Sequence, residues 1–298
     1  MPRVPRVHGS CPGDWIGRGR KLPMRQIHSP LGIDGAAPSD RSAASPTYRS
    51  YLEVDRLLEL QRPLSTPEHP DELHFIVTHQ AMELWFKILI HELGRARADL
   101  ECGAWASAFG KVKRVNSILS AQTAQMGTLG HLDPKAFLEF RGFLGTASGF
   151  QSVQFRVIEV LSGLREPGYL DDLRARHDGS MPAEILDVLS EASLAEVAAG
   201  AAKTAGVKDW LEVYSEPDVH GALFLLGEAL LDYDRLWMLW RYEHLLLVER
   251  IIGHGADGTG GASARYLEQR LSLRFFPFLW DVRYRLTMAA ARKGNGAR

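Results

Sequence analysis

From Tyr48 onward the apolar residues recur at the three- and four-residue spacing of amphipathic helices, and no stretch alternates apolar and polar residues long enough to propose a strand. The pattern predicts a short helix over Tyr48–Gln61, stopped by Pro63. A long helix follows over Glu72–Glu101, entered through His69-Pro70-Asp71 with Asp71 as its N-cap. The next covers Ala104–Met126 and breaks near Gly127 and Gly130. Asp133-Pro134, a cap followed by proline, opens a helix to Leu144; Gly145–Gly149 interrupts it, and helix resumes over Phe150–Leu164. Residues 165–220 are less regular, with shorter helices and loops. A long helix returns over Ala222–Ile252, ended by Gly253. A glycine-rich loop, His254–Ala262, then leads to a last helical region over Ala264–Ala290. No internal repeat is present. The fold class is therefore all-α: a single domain of long antiparallel helices packed as a bundle.

Residues 1–45 break this regularity. They are rich in Arg, Pro, Gly and Ser and read as a disordered tail ahead of an all-helical domain over 46–298. Met24 offers a second possible start within it. The basic residues of the tail are interleaved with Gly and Pro and followed by no apolar run, so it is not a secretory signal. No run of ~18 apolar residues exists to span a membrane. A formal net charge of −1 leaves no electrostatic footprint for nucleic acid. The two cysteines, Cys11 and Cys102, form no CxxC pair, which points to the reducing cytoplasm and away from a disulfide or zinc framework.

Within this helical frame three side chains stand out chemically. Phe75, His79, Met82 and Phe86 share one helix face, so a single imidazole projects from an apolar, aromatic stripe. His244 occupies a similar place among Leu236, Trp240, Leu247 and Ile251, where a neutral imidazole nitrogen could serve as an axial iron ligand. A hydrogen-bonded core histidine is the simpler explanation of each taken singly. Arg141 lies one turn from Phe137, and its guanidinium could take a carboxylate through two parallel hydrogen bonds. The Gly258-Thr259-Gly260-Gly261 loop offers backbone N–H groups and a hydroxyl, but it lacks a P-loop lysine and follows no strand. Neither histidine belongs to a Glu-x-x-His di-iron pattern, and His91-Glu92 has no second histidine at zinc-protease spacing.

Read in order, the long motifs are more specific than any of these residues. His69-Pro70-Asp71-Glu72-Leu73-His74-Phe75-Ile76-Val77-Thr78-His79-Gln80, continuing through Glu83-Leu84-Trp85-Phe86-Lys87, closely resembles the signature helix of tryptophan 2,3-dioxygenases. So do Phe137-Leu138-Glu139-Phe140-Arg141, Ser148-Gly149-Phe150-Gln151-Ser152, Trp240-Arg241 with His244, the Gly258–Gly261 loop and Arg274-Phe275-Phe276-Pro277. The likeness spans residues 48–283 and is weakest over 165–220. It implies an oxidoreductase that uses haem b and O2 to cleave the indole C2–C3 bond of L-tryptophan, giving N-formylkynurenine. His244 would be the axial ligand of the haem iron, beside a turn at Ser148 and Gly149. His79 would act on the distal side, near the indole N–H. Phe75 and Phe137 would line the indole pocket, while Arg141 and Thr259 would hold the amino-acid end. Tyr48 and Tyr51 match a pair that, in the family, reaches the site from a neighbouring subunit of a homotetramer. The wording departs at Met126, where the family usually has tryptophan, over Gly127–His131, and at Ala262-Ser263-Ala264 in place of Ser-Ser-Gly. These departures keep open an alternative, a related haem oxygenase that adds one or two oxygen atoms to a modified tryptophan or another aromatic amino acid.

Overall fold

In the computed structural model, residues 45–177, 179–255 and 264–295 are described, and among them every regular element is helical. The tail boundary expected near residue 45 and the Gly258–Gly261 loop with Thr259 lie at or outside the edges of the described residues. The chain divides into two compact units after Leu60. In the first, the helix expected over Tyr48–Gln61 is two short ones, α1 (Tyr48–Tyr51) and α2 (Val54–Leu58). Glu53 separates them with a left-handed backbone, φ 54°, that no helix can include.

The second unit is built on three long helices: α3 (Glu72–Glu101), α4 (Trp105–Gly127) and α11 (Gly221–Ile252). The tight connection through Gly103, at φ 72°, turns α4 back along α3. Leu89, Leu93, Ala96 and Leu100 repeat at helical spacing on α3 and are fully buried against Val112, Val115 and Leu119 of α4. Leu226, Leu230 and Trp237 of α11 close the same core. Side-chain amides join the three helices: the buried Gln122 donates to the Met82 carbonyl (3.3 Å), the half-buried Gln125 to that of Thr78 (3.1 Å) and the buried Asn116 to that of Ala229 (3.0 Å). Asp71 precedes α3 as expected but makes no side-chain cap; its N–H donates to His69 Nδ1 instead. The buried Glu72 carboxylate takes the N–H groups of Leu64 and Ser65, tying the incoming chain to the first turn.

Around this frame sit shorter helices. Asp133 caps α5 (Pro134–Arg141) through the N–H groups of Lys135 and Ala136, and a 3₁₀ turn carries the chain on to Leu144. The helix expected over Phe150–Leu164 is instead a 3₁₀ turn, Gly149–Gln151, and α6 (Val153–Ser162), because Ser152 leaves the helix to cap α6. The irregular stretch contains α7 (Pro167–Ala175), α8 (Ala183–Leu189), α9 (Leu194–Thr204) and α10 (Trp210–Ser215). The last region is two helices, α12 (Ala264–Arg270) and α13 (Pro277–Asn295). The break has a specific cause. The buried Asp234 carboxylate of α11 takes the N–H groups of Phe275 (2.8 Å) and Phe276 (3.3 Å) and the Trp280 indole N–H (2.9 Å). Those amides are drawn out of any helix just where Pro277 forbids one from continuing. No described helix is long and apolar enough to cross a membrane.

Candidate active site

One end of the three-helix core is open. There α3, α5, α6, α11, α12 and the Gly149–Gln151 turn enclose a mainly apolar cavity of about 240 Å³. Seven residues singled out in the sequence converge on it: Phe75, His79, Phe137, Arg141, Ser148, Gly149 and His244. Phe137 is buried with Phe140 and Leu132 in a small separate cluster, and Phe75 packs on it with ring centroids 5.7 Å from Phe137. Tyr48 and Tyr51 belong to the first compact unit and are 79% and 76% exposed. Thr259 lies outside the described residues.

Burial lowers the pKa of both imidazoles of the cavity. His79 Nδ1 lies 2.7 Å from the Phe75 carbonyl, which can only accept, so Nδ1 carries the proton and Nε2 presents a lone pair. Burial lowers the pKa of His79 against the opposing pull of that carbonyl and of Glu83. His244 stacks on Trp240, with centroids 5.3 Å apart and planes 14° from parallel. Burial comes first, and with it the repulsion that a proton on His244 would meet from Arg156 and from any charge on His79; together they hold its pKa at about 4. Near neutral pH His244 is therefore an uncharged imidazole fixed in orientation, as coordination of a metal requires.

A third feature was not singled out beforehand. Arg156, Glu159 and Arg241, all buried, line the cavity as a charge cluster with a net charge of +1. Glu159 accepts from Arg156 Nη1 (2.7 Å), Arg241 Nη2 (2.6 Å) and the Tyr169 hydroxyl (2.6 Å). Burial alone would raise its carboxyl, but Arg241 and Arg156 outweigh it and hold the pKa at about 2. The Arg-x-x-Glu spacing on α6 was visible in the sequence; the second arginine, 82 residues away, was not. A buried carboxylate whose folded pKa lies below its ordinary 4.5 stabilises the fold fully above that pH. We expect this contribution to be lost as pH falls from about 4.5 towards about 2, as followed by acid titration of the circular-dichroism signal. In Glu159→Gln two buried guanidiniums lose their counter-charge, so unfolding by denaturant should show a loss of ~3–5 kcal/mol.

These residues can be tested against a haem. Such a group needs a neutral imidazole, apolar walls for the macrocycle, and donors or positive charge for its two carboxylates. His244 supplies the first, and Phe155, Leu247 and Val248 are among the apolar lining. The buried Trp240 Nε1–H, also in the lining, has no hydrogen-bond partner among the described residues. An unpaired buried donor beside a cluster of net charge +1 suits an anionic acceptor. The residues fit the group. A second set of possible metal ligands, Glu249, His254 and Glu268, lies beyond the cavity lining, and two of its three members are exposed.

A family model described as Tryptophan 2,3-dioxygenase matches residues 34–210 and 201–286. A protein of that name from Bacillus thuringiensis (strain Al Hakam) is 39% identical over 263 residues, covering 80% of this chain and 92% of the relative. Its namesake from Myxococcus xanthus is 36% identical over 268 residues, covering 82% and 91%. That from Caulobacter vibrioides is 38% identical over 263 residues, covering 80% and 98%.

Proposed function

This chain belongs to the tryptophan 2,3-dioxygenase family, and from that premise we propose that it is a haem-dependent dioxygenase. It opens the indole ring of L-tryptophan with O2. Both oxygen atoms enter across C2–C3, so the product, N-formylkynurenine, is substrate plus O2 and no reductant is consumed per turnover. The observation that carries this reading is the meeting, in one cavity, of a neutral His244, an acceptor nitrogen on His79 and the Arg141 guanidinium.

His244 would hold the haem iron, with Trp240, Arg156 and Arg241 serving the porphyrin carboxylates and the Ser148-Gly149 turn bordering the macrocycle. When bound, the haem supplies the dioxygen activation that no side chain here can provide. The chain's own residues do the rest. Arg141 takes the substrate carboxylate, with Thr259 assisting at the amino-acid end. Phe75 and Phe137 pack the indole, and His79 Nε2 accepts the indole N–H. That bond fixes which edge of the ring faces the iron and can hold the N1 proton as ring electron density is withdrawn. The apolar lining excludes water from the reacting centre.

The enzyme works as a homotetramer in the cytoplasm, with Tyr48 and Tyr51 serving the cavity of a neighbouring subunit. In support of assembly, Leu73, Val77, Leu84 and Ile88 leave an exposed apolar stripe along α3. The relatives named above carry the tryptophan dioxygenase name and lend no support to the alternative, a related haem oxygenase that adds one or two oxygen atoms to a modified tryptophan or another aromatic amino acid. Turnover under ¹⁸O2 with mass analysis of the product tests the reading: two labels per molecule are expected, and a product carrying one label would overturn it.

A further inference from the structure

We propose that Asp172 is a positioning residue, a latch that ties the α12 wall of the cavity to α7 and so sets how tightly the amino-acid substrate is held. The inference rests on the dioxygenase reading for the identity of that substrate, but the latch itself is drawn from side-chain geometry. With seven residues, α12 is too short to persist as a helix without tertiary support. It nevertheless supplies Tyr266, Leu267 and Arg270 to the cavity lining. Asp172, on α7, is not in that lining, yet its Oδ2 collects three donors. These are Arg270, the Tyr266 hydroxyl at 3.3 Å, and Arg176 Nε at 3.2 Å from the end of α7.

The arrangement around Tyr266 shows why the carboxylate matters. The guanidinium carbons of Arg176 and Arg270 lie 4.0 and 4.7 Å from its ring centroid. Two like charges are thus gathered on one aromatic ring, and Asp172 is the counter-charge they share. Tyr266 also meets Phe150 edge-on at 5.2 Å, so the same latch braces the Gly149–Gln151 turn, a second wall of the cavity. Arg270 further packs over Tyr169, whose hydroxyl bonds Glu159 of the buried charge cluster.

Asp172→Asn keeps the shape of the side chain and removes its charge. Arg176 and Arg270 then repel without compensation, and α12 spends part of its time away from the cavity. A substrate that binds only the closed form has its apparent affinity reduced by the closed fraction, whereas chemistry in the closed complex is unaltered. The result expected for haem-loaded full-length Asp172→Asn is a KM for L-tryptophan about tenfold higher with kcat within about twofold of wild type. Hydrogen exchange should quicken at residues 264–270 and not across α3 or α4, and saturating L-tryptophan should restore the protection. Asp172→Glu, which retains the charge, should recover most of both effects. Unchanged KM, or a loss of kcat with exchange quickened throughout the chain, would overturn the proposal. Should Asp172→Asn fail to fold, Arg176→Gln removes one partly exposed arm of the latch and should raise KM by about threefold; no change there also overturns it. If the wild type makes no N-formylkynurenine, the dioxygenase reading fails by itself. Exchange at residues 264–270 in Asp172→Asn still decides the latch, which unchanged exchange overturns.

Discussion

His244→Ala is expected to lower turnover of L-tryptophan by ~10³-fold or more and to shift or abolish the Soret absorption of the haem-loaded chain. The size of the effect follows from the state of the imidazole. Burial, foremost, and the nearby Arg156 hold its pKa at about 4, so at neutral pH the ring offers a lone pair without first losing a proton. The stacked Trp240 ring fixes the direction of that lone pair. Alanine removes the ligand and leaves the cavity, so added imidazole should restore part of the Soret band to the variant. That rescue separates loss of ligation from loss of fold. Wild-type spectrum and rate in His244→Ala would place the iron ligand elsewhere.

Arg141→Ala should lower kcat/KM for L-tryptophan by ~10²-fold or more, mainly through KM. Removing one partner of a desolvated charge pair costs about 2–5 kcal/mol, part of it from leaving the other charge unpaired. Tryptamine, which has the indole and the amine but no carboxylate, supplies the control. Wild type and variant should process it about equally poorly, since the interaction removed from the protein is already missing from the ligand. Arg141→Lys should recover only part of the loss, because an ammonium cannot reproduce the two parallel bonds of a guanidinium. An equal fall for both ligands would show that Arg141 supports α5 and does not bind the carboxylate.

The three long helices were legible in the sequence because each buries a continuous stripe whose spacing local residues fix: Leu89, Leu93, Ala96 and Leu100 announce α3 without reference to anything distant. What the sequence hid depends on partners far along the chain. The division of the last helical region into α12 and α13 is set by Asp234, some forty residues upstream, which takes the amides of Phe275 and Phe276. The break at Glu53 lies in a conformation no propensity announces for glutamate. In the site, His79, His244 and Arg141 drew notice in the sequence because each sets a polar head beside apolar or aromatic residues at helical spacing. Glu159 could be read only in part: Arg156 stands one turn before it on α6, but nothing local announces Arg241, 82 residues away. Asp172 sits in the stretch where both periodicity and resemblance were weakest, and its role emerges only when α7 and α12 are seen together.

The most direct test of the central claim is to load the full-length chain with haem, reduce it without air, and add L-tryptophan in aerated buffer while following absorbance at the formylkynurenine band. The account predicts that the band grows catalytically, beyond one equivalent per haem, and that O2 is consumed in equal amount. A haem-loaded, reduced chain that consumes no O2 and forms no such band with L-tryptophan would contradict it.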